Sequence, residues 1–186
     1  MSQSTGSPGR YRRSSGGLIG AMIVTVVLVV VYVGVRGFLF GDRSADVEGV
    51  DWEAQVRAGR ADGKLTVAAP RSLPEGWKAT SAAYETGTAP SWRLGVLDPD
   101  QLYVGVYERL ASIDDLVQEH VDEDAQDEGT VTVAGEEWRV FTDSGGDYAL
   151  ARTVEEPVGG RGSVVVVGTI PPTEVRDFAA GLTTGD

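Results

Sequence analysis

The feature that most constrains this chain is an uncharged apolar run at residues 18–35, which reads LIGAMIVTVVLVVVYVGV. As a helix the run would span ~27 Å, close to the ~30 Å hydrocarbon core of a bilayer. It is apolar on every face and lacks the polar stripe of a helix at a protein surface. It is also longer than the apolar part of a cleaved signal peptide, and a poor cleavage site follows it. The sequence therefore predicts a transmembrane helix over residues 18–36, acting as an uncleaved signal anchor of a single-pass membrane protein.

Charges on either side of this run predict its orientation. Three arginines and no acid lie within residues 1–17, whereas the two arginines that follow the run by residue 43 are mixed with acids. Because basic residues are retained on the cytoplasmic side, we expect a cytoplasmic N-terminus and an extracytoplasmic C-terminal part at the cell membrane. The first partner that the sequence predicts is thus the lipid bilayer, through residues 18–35.

The remaining composition excludes several classes of function. All 28 acids lie beyond residue 40, and the part after residue 36 carries 12 bases, a formal charge of 12 − 28 = −16. Such a surface repels nucleic acid, so we expect no nucleic-acid partner. There is no cysteine, and His120 is the only histidine, which excludes a His/Cys zinc site within one chain. The glycine-rich stretch 159–162 lacks the spacing of a phosphate-binding loop, and we expect no metal and no cofactor.

Composition shifts along the chain predict four regions. Residues 1–17, rich in Ser, Gly and Arg, are expected to form a disordered cytoplasmic basic tail. The transmembrane helix follows, and residues 37–63 are expected to be a juxtamembrane linker with a short helix capped by Asp51. Residues 64–186 contain the remaining strand and helix patterns and are expected to form one extracytoplasmic domain.

The pattern of residues 64–186 predicts an α+β fold. Alternating and apolar runs indicate three strands, a helix, four strands and a final helix. Ser112 with Asp115 forms a capping-box pattern, and Ala134–Gly135 marks a tight hairpin. Val164–Val167 is apolar on both faces, as is typical of a central strand. Because most connections are short turns, we expect a mostly antiparallel sheet with the two helices packed on one face.

Three features are candidate functional sites. The segment 114–128 is rich in acids, but a calcium loop that starts at Asp122 would place Gly129 at the eighth position, not the sixth. His120 lies at the edge of an apolar helix stripe, which fits either a pH-sensitive group or a core-edge histidine. The outer tryptophans either line a carbohydrate or peptide groove, as a possible interaction site, or belong to the core; these residues are Trp77, Trp92 and Trp138.

The order of motifs resembles a known family. LPEGW at 73–77, Leu94-Gly95 before Pro99, and VAGEEW at 133–138 follow a basic N-terminus and one apolar run. In this the chain is similar to the actinobacterial domain-of-unknown-function family DUF4245. The resemblance implies a membrane-anchored envelope protein of unassigned activity, and it brings no catalytic residues.

Three functions are compatible with these features. The first is a non-enzymatic cell-envelope module that binds another envelope component or a protein. The second is a transmembrane regulator or sensor, because the LPEGW segment also resembles the outer domains of some anti-sigma factors; residues 1–17, however, are too short to fold as an effector. The third is a carboxylate-dependent hydrolase, which requires two acids of segment 114–128 to converge in a groove.

Overall fold

The computed structural model describes residues 49–184. The predicted tail and transmembrane helix lie outside these residues. Within residues 49–184, no helix is both long enough and apolar enough to cross a membrane.

Helix α1 (Trp52–Asp62) is the short helix predicted in the linker. The Asp51 side chain accepts a hydrogen bond from the backbone N–H of Ala54 at 3.0 Å, and Gly63 ends the helix with a left-handed φ of 69°. Asp51 and Gly63 flank the helix as its N-cap and C-cap, and each provides a hydrogen-bond partner for a backbone group at its end of the helix. The helix forms here because both caps are encoded locally.

The structure corrects the predicted start of the folded domain at residue 64. Helix α1 packs on β2 (Lys78–Glu85), and its Val56 is part of the main core. A Cβ at Gly59 would lie 2.7 Å from the Tyr84 ring, so only glycine permits this close approach. The Arg60 guanidinium also donates to the carbonyl oxygens of Val67 and Thr183 at 3.1 and 2.9 Å. The fold therefore includes α1, because an apolar side chain and a cation of this helix have their partners in the sheet domain.

A seven-stranded sheet forms the centre of the fold, in the order β2-β3-β4-β8-β7-β6-β5, and every neighbouring pair is antiparallel. The predicted mostly antiparallel sheet is therefore confirmed. The remaining strands of this sheet are β3 (Ser91–Leu97), β4 (Tyr103–Arg109), β5 (Gln126–Val133), β6 (Glu136–Thr142), β7 (Tyr148–Glu155) and β8 (Arg161–Gly168). A separate two-stranded sheet pairs β1 (Ala69–Pro70) with β9 (Leu182–Thr183).

The prediction that both long helices pack on one face is wrong. Helix α2 (Ile113–His120) buries Leu116 against Ala149 and Val165, whereas helix α3 (Pro172–Ala180) buries Phe178 in the cluster that contains Leu150 and Val166. Successive residues of a strand point to opposite faces, so the two helices cover opposite faces of the sheet. Helix α1 shares the layer of α3. The central strand β8 is apolar on both faces, and each face requires its own cover.

Candidate functional site

Two of the three predicted tryptophans are buried. Trp92 is 1% exposed, and its indole N–H donates to the carbonyl oxygen of Ala68 at 2.8 Å. Trp138 is 2% exposed, and the Arg152 guanidinium lies 5.1 Å from the centre of its ring. A ligand therefore cannot stack on either indole without opening the core.

Trp77 is the partly accessible member of this set. Its ring stacks on Phe178 of α3, with centroids 5.7 Å apart and an interplanar angle of 9°. Trp77 packs against the same apolar cluster that contains the two buried tryptophans. The structure thus brings the three residues into one core layer, and Trp77 alone among them offers surface to a ligand.

Several acids of segment 114–128 are engaged in ion pairs or in a helix cap. Asp114 and Asp127 both pair with Arg139, at 2.9 and 2.8 Å, while Glu119 pairs with Arg109 at 2.7 Å. Asp115 completes the predicted capping box with the Ser112 side chain. The residues that the structure describes contain no group of three metal-binding side chains. Asp114 and Asp127 meet at the Arg139 guanidinium, which pairs with both, so these two do not form the free acid pair that the hydrolase hypothesis requires.

His120 lies on the other side of the same helix. Its imidazole stacks on the Tyr107 ring at a centroid distance of 3.8 Å. Burial lowers the pKa of His120, against the opposing effect of the Glu119 carboxylate. The geometry matches the core-edge interpretation, because the ring serves as a flat packing surface and is held in its neutral form.

The sheet also buries a pair of glutamates that the sequence predictions did not include, Glu108 and Glu156. Glu108 at the end of β4 is fully buried, and its carboxylate accepts hydrogen bonds from the N–H groups of Val67 and Ala68 at 2.9 and 2.6 Å. The Thr66 hydroxyl donates to it at 2.8 Å, and the Thr66 N–H donates to Glu156 at 2.7 Å. The two carboxyls therefore fasten the segment 66–68 to the sheet.

This arrangement is costly in two respects. Val67 has a left-handed φ of 53°, which a β-branched residue adopts only under strain. Burial and the charge of Glu108 raise the pKa of Glu156 to about 7, against the opposing effect of the hydrogen bond from the Thr66 N–H. Two like charges in one buried site cannot both ionise easily, so the pair retains a proton at neutral pH and below. Because Glu108 is enclosed and its oxygens are engaged, the pair is suited to holding the loop and not to attacking a substrate.

A signal for Glu108 was present in the sequence. Val104 and Val106 share one face of β4, and the period of two places Glu108 on the same buried face. A charged residue at an inward position requires partners, but these lie in distant parts of the chain. Glu156 follows β7 and carries no comparable pattern.

The buried pair predicts how stability depends on pH. The pKa of Glu156 is above its ordinary value of 4.5, so between pH 4.5 and about 7 the folded state binds more protons than the unfolded state. Stability from this group is therefore complete below pH 4.5 and decreases as pH rises through 7. In Glu156→Gln the amide mimics the protonated carboxyl and does not titrate. We expect the wild type to lose about 1–3 kcal/mol relative to this variant between pH 5 and 8.

Urea melts of fragment 49–186 at several pH values measure this effect. We compare the two proteins by their difference in stability at each pH, because the lowered pKa of His120 makes stability rise with pH, opposite to the effect of Glu156. Parallel stability profiles of the wild type and the variant would show that Glu156 is not perturbed.

The open edge of the sheet at β5 is a second feature that the sequence patterns did not predict. This strand pairs with β6 on one side, and its first five residues, 126–130, are exposed, as is Thr132. The predicted hairpin turn is present, with φ angles of 52° at Ala134 and 87° at Gly135. A two-residue turn with both φ values positive makes the flanking pair, Val133 and Glu136, exchange hydrogen bonds. By alternation, the N–H and C=O groups of Thr130 and Thr132 point outward.

The opposite edge of the sheet is covered. The carbonyl oxygen of Ala79 in β2 accepts a hydrogen bond from the Val50 N–H at 3.1 Å. The Tyr84 N–H of the same strand donates to the Gln55 side chain of α1 at 3.4 Å. Within residues 49–184, no comparable hydrogen bond from outside the β5–β6 hairpin reaches Thr130 or Thr132. The sheet thus offers β5 as its accessible edge.

Comparisons with known proteins give a family match and a partial structural likeness. A family profile described as "Protein of unknown function (DUF4245)" matches residues 10–182. No curated protein sequence matches the chain. Similar solved structures include MucB in complex with MucA(peri), with 13% identity, a TM-score of 0.40, and coverage of 64% of this chain and 37% of that one. The complex of Pseudomonas aeruginosa MucA/MucB gives 13% identity, a TM-score of 0.39, and coverage of 64% and 35%. This chain spans little more than a third of the length of those two chains.

Proposed function

The chain belongs to the DUF4245 family of proteins of unknown function, and we propose that its folded part is a non-enzymatic interaction module of the cell envelope that binds a protein partner along β5. The observation that carries this proposal is the asymmetry of the sheet edges. Residues 49–50 and α1 cover β2, while β5 presents the backbone groups of Thr130 and Thr132 to solvent. An exposed strand edge accepts an extended segment of another protein through main-chain hydrogen bonds.

The interior chemistry supports a binding role over a catalytic one. The two carboxyls that share a site, Glu108 and Glu156, are 0% and 5% exposed and bind the chain's own backbone. In segment 114–128, Asp114 and Asp127 share Arg139, and Glu119 pairs with Arg109. In both places the carboxyls are engaged by groups of the chain itself.

The predicted apolar run at 18–35 completes the proposal. It anchors the module in the cell membrane with the N-terminus in the cytoplasm, so that β5 faces partners outside the cytoplasm. Anchoring gives the module a high effective concentration relative to membrane-bound or envelope partners. A moderate affinity at β5 is then enough for a stable complex.

Photo-crosslinking of the full-length protein in intact cells tests this function. With benzoylphenylalanine at position 130, we expect irradiation to give a discrete protein adduct. The same group at position 85, an exposed residue of the covered strand β2, is the matched control and should give none. Thr132→Pro should abolish the adduct from position 130, because proline removes an outward N–H without breaking a bond to β6. Equal adducts at both positions, or an adduct that is insensitive to proline, would contradict docking at β5.

A further inference from the structure

We propose that the segment that pairs with β5 is an extended, basic stretch of a protein partner. This inference rests on the proposed function and specifies the chemistry of its ligand. Residues 122–137 contain seven acids and no base, and they run from the end of α2 through β5 into β6. We call residues 122–137 the acidic border. A strand that pairs with β5 therefore lies beside a strongly negative surface.

Ion pairs within the fold leave part of this charge free. Arg139 pairs with both Asp114 and Asp127, and Arg152 pairs with Glu136 at 3.4 Å. In the part of the chain that the structure describes, Glu128 and Glu137 have no ion-pair partner. Their carboxylates are exposed at the two ends of the outward-facing stretch. These two acids are the natural counterions for lysine or arginine side chains of an added strand.

Register places one of these acids beside the docking groups. Glu137 is the cross-strand partner of Thr132. Adjacent strands lie about 5 Å apart, so a base opposite Thr132 on an added strand is about 10 Å from Glu137, and the long side chain of lysine or arginine can reach across Thr132 to its carboxylate. The irregular register between Asp127 and Gly129 bends the strand near Glu128. Regular pairing is therefore confined to about residues 130–133, and the partner segment is short.

Charge also excludes a second copy of this chain as the occupant. Pairing two β5 strands would bring together two copies of the segment 122–137, each with seven acids and no base, and like charges on neighbouring strands are destabilising. Charged edge strands prevent self-association in this way. A basic partner has no such like-charge repulsion. The acidic border therefore favours pairing with a basic strand over pairing with an identical copy of β5.

The test uses the full-length chain in nanodiscs of phosphatidylcholine and fluorescein-labelled octapeptides. The basic probe alternates lysine with valine, and the acidic probe replaces every lysine with glutamate. We expect anisotropy to show saturable binding of the basic probe alone, weakening as salt screens the charges. Glu128→Gln with Glu137→Gln should weaken binding about five-fold. The matched control, Glu53→Gln with Glu85→Gln, removes the same charge on the covered side and should leave binding unchanged.

Each outcome separates the inference from the proposed function. Equal binding of the basic and acidic probes, both abolished by Thr132→Pro, would overturn the basic partner and leave docking at β5 intact. Binding of the basic probe that survives Thr132→Pro would overturn docking at β5 itself. A concentration-dependent dimer that is abolished by Thr132→Pro would identify a second copy as the occupant and overturn the inference. Circular dichroism of each variant confirms that its fold is retained.

Discussion

Replacing Glu108 with alanine is expected to destabilise the fold by about 3–5 kcal/mol, a large part of the ~5–15 kcal/mol that a domain possesses. The carboxylate accepts hydrogen bonds from the Val67 and Ala68 N–H groups and from the Thr66 hydroxyl. Truncation leaves these donors without a partner in a dry site, and each unsatisfied group costs about 1–3 kcal/mol. Relief of repulsion with Glu156 offsets part of the loss. Urea melts of fragment 49–186 measure the change.

Two further variants make this result specific. Glu85→Ala removes an exposed carboxylate from the neighbouring region of the sheet and should change stability by about 0.5 kcal/mol or less. Glu108→Gln retains one acceptor oxygen and the shape of the side chain, so its loss should be smaller than that of the alanine variant. It should also lower the pKa of Glu156, because the like charge beside it disappears. A neutral alanine variant would mean that segment 66–68 is held by other contacts.

Replacing Trp138 with alanine is expected to cost about 3–5 kcal/mol as well. The indole is 2% exposed and lies in the main core with Val140 and Val131. Truncation removes its contacts and leaves a cavity that the rigid sheet cannot close. Asp124→Asn, at an exposed site after α2, is the control and should change stability by about 0.5 kcal/mol or less.

The choice of fragment matters for this measurement. A fragment that starts at residue 64 lacks α1, and with it Val56 and the Arg60 hydrogen bonds to Val67 and Thr183. Melts should therefore start from residue 49. If Trp138→Ala unfolds with the same midpoint as the wild type, the indole contributes no packing energy, and the groove interpretation of the tryptophans becomes the better one.

Elements with local signals were predicted correctly. The Asp51 cap, the Ser112–Asp115 capping box and the Ala134–Gly135 turn are each specified within a few residues. The alternation of inward and outward residues along a strand is also a pattern within a few residues. These features depend on hydrogen bonds and backbone angles within one segment, so they are present in the sequence before the chain folds.

Assignment of the helices to faces failed for a different reason. The apolar stripes of α2 and α3 predict that each helix packs against an apolar surface, but they do not predict which face of the sheet supplies it. The information lay in Val164–Val167, whose apolar residues on both faces required cover on both sides. The alternation of β4 likewise placed Glu108 on the inward face, a signal that the sequence predictions did not use, and its partner Glu156 is 48 residues away in sequence.

The sequence by itself determined the local elements, the acidic charge of the folded part, the apolar run at 18–35 and the absence of cysteine chemistry, since each depends on composition or near neighbours. The tertiary structure alone decided that α1 belongs to the core, that Glu108 and Glu156 share a site, and that β5 is the open edge while β2 is covered. These properties depend on strand order and on contacts between segments far apart in the chain. The free energy of such contacts depends on which surfaces meet, and no local pattern specifies that.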